Sequence, residues 1–402
     1  MSLNDTPSAD RIHIAFFGMR NAGKSSIMNA VTGQSLSIVS DTKGTTTDPV
    51  YKTMELLPAG PVVMIDTPGL DDEGALGKER VKKALQVLRK TDVAVLVVDA
   101  AAGKRTEDRQ LIARLKAQNI PYLVVYNKID LCGGILPEPA ENEIAVSAAT
   151  GARIPALKER IAALAVPETP SKRLIGDLVQ PLDFVVLVVP IDKAAPKGRL
   201  ILPQQQTIRD LLEQGAVPIV VRDTELSETL SRLQGQIKLV ITDSQAFQTV
   251  SAATPEEIPL TSFSILFARY KGSLETAVRG AAALSALQDG DRILIAEGCT
   301  HHKQCDDIGS VKLPRWINQF TGKMPSYDFT NGREFPEDLS PYRLVVHCGG
   351  CMLNEREMQF RLQHALSQGI PMTNYGILIA YMQGILRRSL GPFPEVQSWL
   401  PQ

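Results

Sequence analysis

A glycine-rich turn between a strand and a helix constrains the fold of this chain more than any other feature. The segment GMRNAGKS, Gly18–Ser25, follows the apolar run IHIAFFG and opens a predicted helix. Backbone N–H groups of such a loop, together with the N-terminus of the helix, can cradle phosphate groups. Lys24 would then reach the β- and γ-phosphates of a nucleotide, and the Ser25 hydroxyl would bind Mg²⁺. A strand and a helix joined in this way predict a parallel sheet covered by helices.

Three further polar loops follow predicted strands in the order that a nucleotide site requires. They are DTPG at Asp66–Gly69, NKID at Asn127–Asp130, and SA at Ser147 and Ala148. Asp130 can accept hydrogen bonds from both the ring N–H and the exocyclic amine of guanine, whereas adenine lacks that amine and would leave a buried carboxylate unpaired. The predicted nucleotide is therefore GTP. The residues predicted to bind it are Gly18, Asn21, Ala22, Gly23, Lys24, Ser25, Ser26, Asp66, Gly69, Asn127, Lys128, Asp130, Ser147 and Ala148.

Over residues 11–167 these motifs resemble those of GTPases of the TrmE-Era-like class. The resemblance implies that GTTTD, Gly44–Asp48, is the first switch segment, which contacts the γ-phosphate through Mg²⁺. The Mg²⁺ ligands implied in this way are Ser25, Thr46 and Asp66. The residues implied to take part in hydrolysis are Asn21, Lys24, Thr46 and Gly69.

The source of catalytic assistance differs from that in many GTPases. Leu70 follows DTPG, at the position where many GTPases carry a glutamine that orients the attacking water. In potassium-stimulated relatives, an asparagine at the position of Asn21 helps to bind a monovalent cation, which offsets the charge that develops on the phosphates. The resemblance therefore implies K⁺ at Asn21 and hydrolysis stimulated by K⁺. The alternative is that Asn21 only tolerates a tight backbone turn.

The remainder of the chain predicts two further domains. A polar stretch with two prolines, VPETPSKR at Val166–Arg173, predicts a linker. We therefore expect a GTPase domain at residues 1–167, a middle α/β domain at 168–262 and a third domain at 263–402. The predicted fold class is α/β, with a parallel P-loop GTPase sheet followed by two smaller α/β domains. No internal repeat is evident in the sequence.

Two strand ends in the third domain carry closely spaced cysteines and histidines. The run YRLVV leads into HCGGC, His347–Cys351, and the run DRILIAEG leads into CTHHKQC, Cys299–Cys305. Two similar strands that both end in cysteines predict a shared metal site. The mixture of thiols and imidazoles suits tetrahedral zinc, and it also suits an iron–sulfur cluster held by three thiolates and a weaker ligand. The spacing matches neither a twin C-x-x-C ribbon nor a C₂H₂ finger.

The combination of a GTPase domain, an α/β middle domain and a C-x-H…H-C-x-x-C pattern resembles the HydF family, the maturation GTPases of [FeFe]-hydrogenase. Two longer strings, PIDKAAPKGRLILPQQQTIRDLL and HHKQCDDIGSVKLPRW, are also similar to that family. The resemblance implies a [4Fe-4S] cluster with an exchangeable fourth position. The implied cluster ligands are Cys299, Cys348 and Cys351, with His301 or His347 as candidates for the fourth ligand.

The same resemblance implies a role and a set of partners. The role is that of a scaffold or carrier for the diiron precursor of the hydrogenase active site, in a homodimer made through the middle domain. The implied partners are the [FeFe]-hydrogenase apoprotein and its radical-SAM maturases. Cys305 lies outside the family pattern, so it could be a fourth thiolate, a resolving thiol or a bystander.

The charge balance bears on the alternative functions. The 43 basic and 44 acidic residues give a formal charge of -1, which provides no general attraction to nucleic acid or to anionic membranes. Without a long apolar run or a secretory signal, a cytoplasmic protein with reduced thiols is expected. The alternative function is an RNA or ribosome-assembly GTPase with a zinc module. Residues 267–402 contain 14 Lys/Arg and 13 Asp/Glu, a balance that does not favour an RNA-binding surface.

Overall fold

The chain forms two compact units, Met1–Ser171 and Lys172–Gln402. The structure, a computed structural model, describes residues 7–33, 48–70, 74–132, 140–166, 172–191, 200–299, 307–332 and 334–400. Both units contain parallel sheets with helices, so the predicted α/β fold class is confirmed. None of the helices in these described ranges combines the length and the apolar character needed to cross a bilayer.

The first unit is built around one sheet. Its described strands are β1 (Ile12–Phe17), β2 (Val50–Leu56), β3 (Gly60–Asp66), β4 (Val93–Asp99), β5 (Tyr122–Asn127) and β6 (Glu143–Ala145). Its described helices are α1 (Lys24–Thr32), α2 (Gly74–Leu88), α3 (Thr106–Ala117) and α4 (Ile154–Ala165). The strand order is β2-β3-β1-β4-β5-β6, with β2 antiparallel to β3 and the other neighbours parallel.

The strands at the centre of this sheet are buried on both faces. In β1, Ile14 and Phe16 contribute to the core that α1 and α4 cover. The intervening Ala15 and Phe17 contribute to a second core, formed with residues of α2 and α3. Two-sided burial explains why the sequence of β1 is a continuous apolar run. It also leaves the loops at the carboxyl ends of β1, β4 and β5 as the polar edge of the sheet.

The second unit contains two smaller parallel sheets. The first has the described strands β7 (Phe184–Val188), β8 (Val217–Val221), β9 (Ile237–Thr242) and β10 (Leu260–Ser262), and the helices α5 (Leu202–Glu213), α6 (Leu226–Leu233), α7 (Phe247–Ala253) and α8 (Phe263–Lys271). The second has β11 (Arg292–Ala296), β12 (Ser326–Thr330), β13 (Leu344–His347) and β14 (Met372–Asn374). Its helices are α9 (Leu274–Ala281), α10 (Leu313–Thr321), α11 (Glu355–Ser367), α12 (Tyr375–Met382) and α13 (Leu386–Ser389).

The two smaller sheets have the same topology. Their strand orders are β10-β9-β7-β8 and β14-β13-β11-β12. In each sheet, the second strand along the chain lies on one side of the first strand, and the third and fourth strands lie on its other side. The sequence around β10 and α8 is also similar to that around β14 and α12. The segments IPLTSFSILFARYKG at 258–272 and IPMTNYGILIAYMQG at 370–384 share 7 of 15 residues. Each helix is capped in the same way, by Ser262 on the Ile265 N–H and by Asn374 on the Ile377 N–H. The second unit therefore contains an internal repeat, which corrects the expectation from sequence.

The two halves of this repeat meet where their equivalent helices cross. A Cβ atom added to Gly376 of α12 would lie 2.4 Å from Cβ of Ser264, which occupies the equivalent position in α8. Asn374 Nδ2 also donates to the Ser264 carbonyl at 2.9 Å. One hydrophobic core runs through both sheets and includes Phe263 of α8 and Ile377 of α12. The two smaller predicted domains thus correspond to two sheets that share a single interior.

We expect Gly376→Ala to destabilise the second unit by about 1–3 kcal/mol, because the added methyl group overpacks the crossing of α8 and α12. The substitution would otherwise favour a helix. Urea unfolding followed by tryptophan fluorescence measures this unit alone, since both tryptophans, Trp316 and Trp399, lie within it. Adding Ser264→Gly should restore part of the lost stability. An unchanged unfolding midpoint in Gly376→Ala would show that the crossing is not tightly packed.

Candidate nucleotide and cysteine sites

The phosphate-binding loop lies between β1 and α1, as the sequence predicts. Gly23 precedes α1 with φ of 94°, in the left-handed region that favours glycine. The buried Lys24 donates from Nζ to the carbonyl oxygens of Gly18 at 3.1 Å and Met19 at 2.8 Å, so its charge is held over the loop. Asn21 has φ of 60°, a conformation that asparagine tolerates better than most residues.

The predicted Mg²⁺ ligands Ser25, in the first turn of α1, and Asp66, at the end of β3, lie together. Ser25 Oγ donates to Asp66 Oδ2 at 2.5 Å. The loop that follows Asp66 is tied to the phosphate-binding loop, because the Leu70 N–H donates to the Gly18 carbonyl at 3.3 Å. Thr46, the third predicted Mg²⁺ ligand, lies outside the described residues.

Asn127 joins the phosphate-binding loop to the loop predicted to cover the base. Its Nδ2 donates to the Ala22 carbonyl at 3.1 Å, and its Oδ1 accepts from the Ala148 N–H at 3.0 Å. A Cβ atom added to Gly23 would lie 2.1 Å from Asn127 Nδ2, so this approach requires glycine. The side chain of Asn127 therefore holds two of the predicted nucleotide-binding segments in register.

Asp130, the predicted guanine-specificity residue, is oriented by the last of these loops. Ser147 Oγ donates to Asp130 Oδ1 at 2.5 Å, and the Thr150 N–H donates back to Ser147 Oγ at 3.1 Å. One carboxylate oxygen of Asp130 is thus held by protein. This hydrogen bond restrains the carboxylate of Asp130 on one side.

An ion pair that the sequence analysis missed lies beside this site. Lys128 Nζ donates to Asp99 Oδ2 at 2.8 Å. Partial burial works to raise the pKa of Asp99, but the Lys128 hydrogen bond and the N–H groups of Ala101 and Ala102 outweigh it, so that the pKa lies below its usual value. The pair borders a cavity of about 300 Å³ that also contacts Asn21. The signal was present in the sequence as an aspartate at the end of β4.

The cysteines converge at the carboxyl ends of β11 and β13. Cys348 Sγ accepts hydrogen bonds from the Gly298 N–H at 3.1 Å and the Gly350 N–H at 3.4 Å. The residue before Cys299 therefore contacts the sulfur of Cys348, although the two are far apart in sequence. His301, His302 and Cys305 lie outside the described residues.

The cysteine thiols affect one another electrostatically. Burial, and then the charges of Cys348 and Cys351, raise the pKa of Cys299 to about 12. Burial likewise raises the pKa of Cys348 to about 11, against the two N–H groups that favour its thiolate. Among the described residues, no three His, Cys, Asp or Glu side chains form a ready metal site. The donor set nevertheless suits a thiolate-bound iron–sulfur centre, since N–H groups aimed at sulfur stabilise such centres.

His347 is fully buried and both of its ring nitrogens contact protein groups. Nδ1 lies 2.8 Å from the Cys348 carbonyl oxygen, and Nε2 lies 3.1 Å from Nη1 of Arg361. Because arginine can only donate, Nε2 accepts and Nδ1 carries the proton. Burial and the Arg361 charge lower the pKa of His347 to about 3, so that the ring is neutral. Both ring nitrogens of His347 therefore have protein partners in this structure, and its role as a candidate fourth ligand stays a prediction.

Glu297 is a further group at this site that the sequence analysis missed. It lies two residues before Cys299, is 6% exposed, and accepts a hydrogen bond from the Tyr375 hydroxyl at 3.2 Å. Its charge adds to the rise in pKa of both Cys299 and Cys348. A carboxylate at the end of β11 was visible in the sequence, but its burial was not.

Comparison with known proteins shows which family models the second unit matches. Residues 174–272 match the family model of the hydrogen maturase F dimerization domain, and residues 275–392 match that of the hydrogen maturase F tetramerization domain. The two matches together span more than half of the chain. The chain belongs to the HydF family. Residues 13–128 match the family model described as a 50S ribosome-binding GTPase, so this HydF protein carries a GTPase domain.

Similarity to other curated proteins is more limited in extent. The tRNA modification GTPase MnmE of Laribacter hongkongensis is 35% identical over 152 residues, which are 37% of this chain and 33% of that protein. GTPase Der of Maridesulfovibrio salexigens is 39% identical over 128 residues, 31% of this chain and 28% of that protein. The chain thus spans about a third of the length of these relatives. A crystal structure of Era with MgGDPNP and 16S ribosomal RNA nucleotides is 21% identical over 56% of this chain and 98% of that chain, with a TM-score of 0.35.

We expect Asp130→Asn to weaken GTP binding by about 100-fold or more, because the amide cannot accept from both the ring N–H and the exocyclic amine of guanine. The variant should gain affinity for xanthine nucleotides, which offer an oxygen in place of that amine. Titration with fluorescent GTP and XTP analogues measures both effects. Ser147→Ala, which only frees the carboxylate, should weaken GTP by about tenfold at most and keep the preference for guanine. Equal GTP affinity in Asp130→Asn and the unmodified protein would remove Asp130 from the base site.

Proposed function

We propose that this protein is a GTP-hydrolysing scaffold or carrier that binds a [4Fe-4S] cluster and assembles or delivers the diiron precursor to apo-[FeFe]-hydrogenase. The observation that carries the proposal is the hydrogen bond from the Gly298 N–H to Cys348 Sγ at 3.1 Å. It brings the two cysteine segments together within a unit that matches hydrogen maturase F domains. The membership of the HydF family supports a role in hydrogenase maturation.

The proposed hydrolysis uses groups that the first unit already orients. Lys24 would balance the charge of the β- and γ-phosphates, and Ser25 and Asp66 would hold Mg²⁺ together with Thr46. The Gly69 N–H would contact the γ-phosphate. Since Leu70 cannot orient water through a hydrogen bond, a K⁺ ion at Asn21 is proposed to offset charge in the transition state.

The proposed cluster ligands are Cys299, Cys348 and Cys351. When bound, the cluster supplies an iron with one exchangeable position, at which a small bridging ligand can attach. The Gly298 and Gly350 N–H groups stabilise the negative charge on Cys348 Sγ. For the fourth position His301 and His347 are the candidates predicted from sequence, and the buried Glu297 is a third.

The proposed assembly is a homodimer made through the middle domain. β8 is an edge strand of its sheet, and Val220 within it is 44% exposed. An exposed apolar edge can pair with a second copy of the same strand. The proposed partners are the [FeFe]-hydrogenase apoprotein and its radical-SAM maturases, in the cytoplasm, without a nucleic-acid or membrane partner.

An RNA or ribosome-assembly GTPase with a zinc module is the second candidate. It is favoured only by the similarity of part of the chain to proteins named tRNA modification GTPase and to the model named 50S ribosome-binding GTPase. The match to the 50S ribosome-binding GTPase model does not extend over the cysteine segments, since it ends at residue 128. Purified protein that holds zinc and takes up no iron would support this candidate.

We expect GTP hydrolysis about tenfold or more faster in K⁺ than in Na⁺ at equal ionic strength, because the cation proposed to bind at Asn21 and to offset the phosphate charge is K⁺. Asn21→Gly keeps the left-handed backbone and removes the amide, so it should abolish the difference between the two salts. Phosphate release measures the rates. If Asn21 only tolerates the turn, Asn21→Gly will hydrolyse GTP as the unmodified protein does.

We expect anaerobic reconstitution with iron and sulfide to give about four irons per chain and a brown protein. Cys299→Ser, Cys348→Ser and Cys351→Ser should each lose most of this iron, because each removes one of three thiolates. Cys132→Ser is the matched control, since Cys132 lies in the first unit, and it should bind iron normally. Colorimetric iron analysis and the visible absorption spectrum measure the loading. Normal iron content in Cys299→Ser would show that Cys299 is not a cluster ligand.

A further inference from the structure

A buried lysine contacts the cysteine loop from the neighbouring sheet. Lys271, the last residue of α8, is 2% exposed. Its Nζ donates to the carbonyl oxygens of Cys351 at 3.2 Å and Leu353 at 2.9 Å. A buried ammonium group is unfavourable unless hydrogen bonds compensate its lost hydration. Both of these acceptors lie in the loop between β13 and α11, which carries Cys348 and Cys351.

The end of α8 is itself fixed to the helix that follows this loop. Gln359 Nε2, on α11, donates to the carbonyl oxygens of Lys271 at 3.2 Å and Gly272 at 3.0 Å. The side chain of Lys271 on α8 therefore binds the cysteine loop, and the side chain of Gln359 on α11 binds the end of α8. Since α8 begins directly after β10, these contacts connect the middle sheet to the cysteine loop.

The internal repeat supplies a comparison for Lys271. Gln383 occupies the equivalent position in α12, and the loop equivalent to the cysteine loop is the one that follows β9, where the sequence is DSQA. That loop contains no cysteine. The lysine is therefore present only in the repeat whose helix ends against the cysteines.

We propose that Lys271 is a positioning residue for the cysteine site. It binds the carbonyl oxygens of Cys351 and Leu353, so that these oxygens do not face the sulfurs and the loop keeps its N–H groups, such as that of Gly350, for sulfur. Its positive charge also offsets the charge of the thiolates. This inference rests on the proposed function, because it takes the cysteines to be cluster ligands. The hydrogen bonds between Lys271 and the loop do not depend on that function.

The experiment uses the full-length, metal-free, reduced protein. In Lys271→Met, hydrogen exchange of the amides at 349–353 should be about tenfold faster or more, because the loop loses both of its hydrogen bonds to α8. Alkylation of Cys351 by iodoacetamide, followed by mass spectrometry, should accelerate in parallel. Lys312→Met is the matched control, since Lys312 Nζ bonds Gln245 Oε1 at 2.8 Å in the same unit, and it should leave both readouts unchanged. Exchange and alkylation in Lys271→Met equal to those of the unmodified protein would overturn the proposal.

A second variant covers the case in which Lys271→Met does not fold, which tryptophan fluorescence will show. Gln359→Ala leaves the lysine in place but frees the end of α8, and it should accelerate loop exchange by a smaller factor. Unchanged loop exchange in Gln359→Ala would then reject the proposal.

In reconstituted protein, Lys271→Met should move the reduction potential of the cluster to a more negative value, because a positive charge has been removed. If the unmodified protein takes up no iron, the proposed function fails while the exchange test of Lys271 still stands.

Discussion

The parallel pairing of β11 with β13 is the constraint on which the cysteine site depends. Ala296 lies opposite His347 in this pair, so the two strands end at the same level of the sheet. Cys348 follows one strand directly, and Cys299 follows the other after a turn of two residues. Backbone pairing, rather than any contact between the cysteines, therefore sets the distance between the two segments. The nucleotide site depends on the same rule, because its predicted loops follow the parallel strands β1, β3, β5 and β6 of the first unit.

The sequence predicts those parts of each site that are local along the chain. Gly18–Ser25 could be placed because a glycine-rich turn between strand and helix carries its own geometry, and Asp130 because its role follows from the chemistry of guanine. The role of Asn127 in joining two loops depends on Ala22, which is 105 residues away. The position of Lys271 depends on carbonyl oxygens that are 80 and 82 residues away. Contacts of this kind leave no pattern in the neighbouring residues.

His347 shows why the role of a histidine beside cysteines is difficult to assign from sequence. Its partner Arg361 has no exposed surface and bonds Glu357 at 3.0 Å and the Gly332 carbonyl at 2.7 Å. A buried arginine requires such partners, because removing one leaves an uncompensated charge. The sequence H-C-x-x-C is equally compatible with a ligand and with a residue that satisfies this arginine. Likewise, the internal repeat is difficult to predict from sequence, because the similar segments at 258–272 and 370–384 are short and the common topology appears only in three dimensions.

The shared interior of the second unit affects the order in which the protein can form during synthesis. The core that contains Val186 of the middle sheet also contains Phe393 and Val396. The ribosome makes these residues more than 200 positions apart, so this core can be completed only after translation has reached residue 396. The first unit can close its own sheet well before that. A nascent chain of this protein therefore carries a finished nucleotide-binding unit while the cysteine-bearing unit is still open.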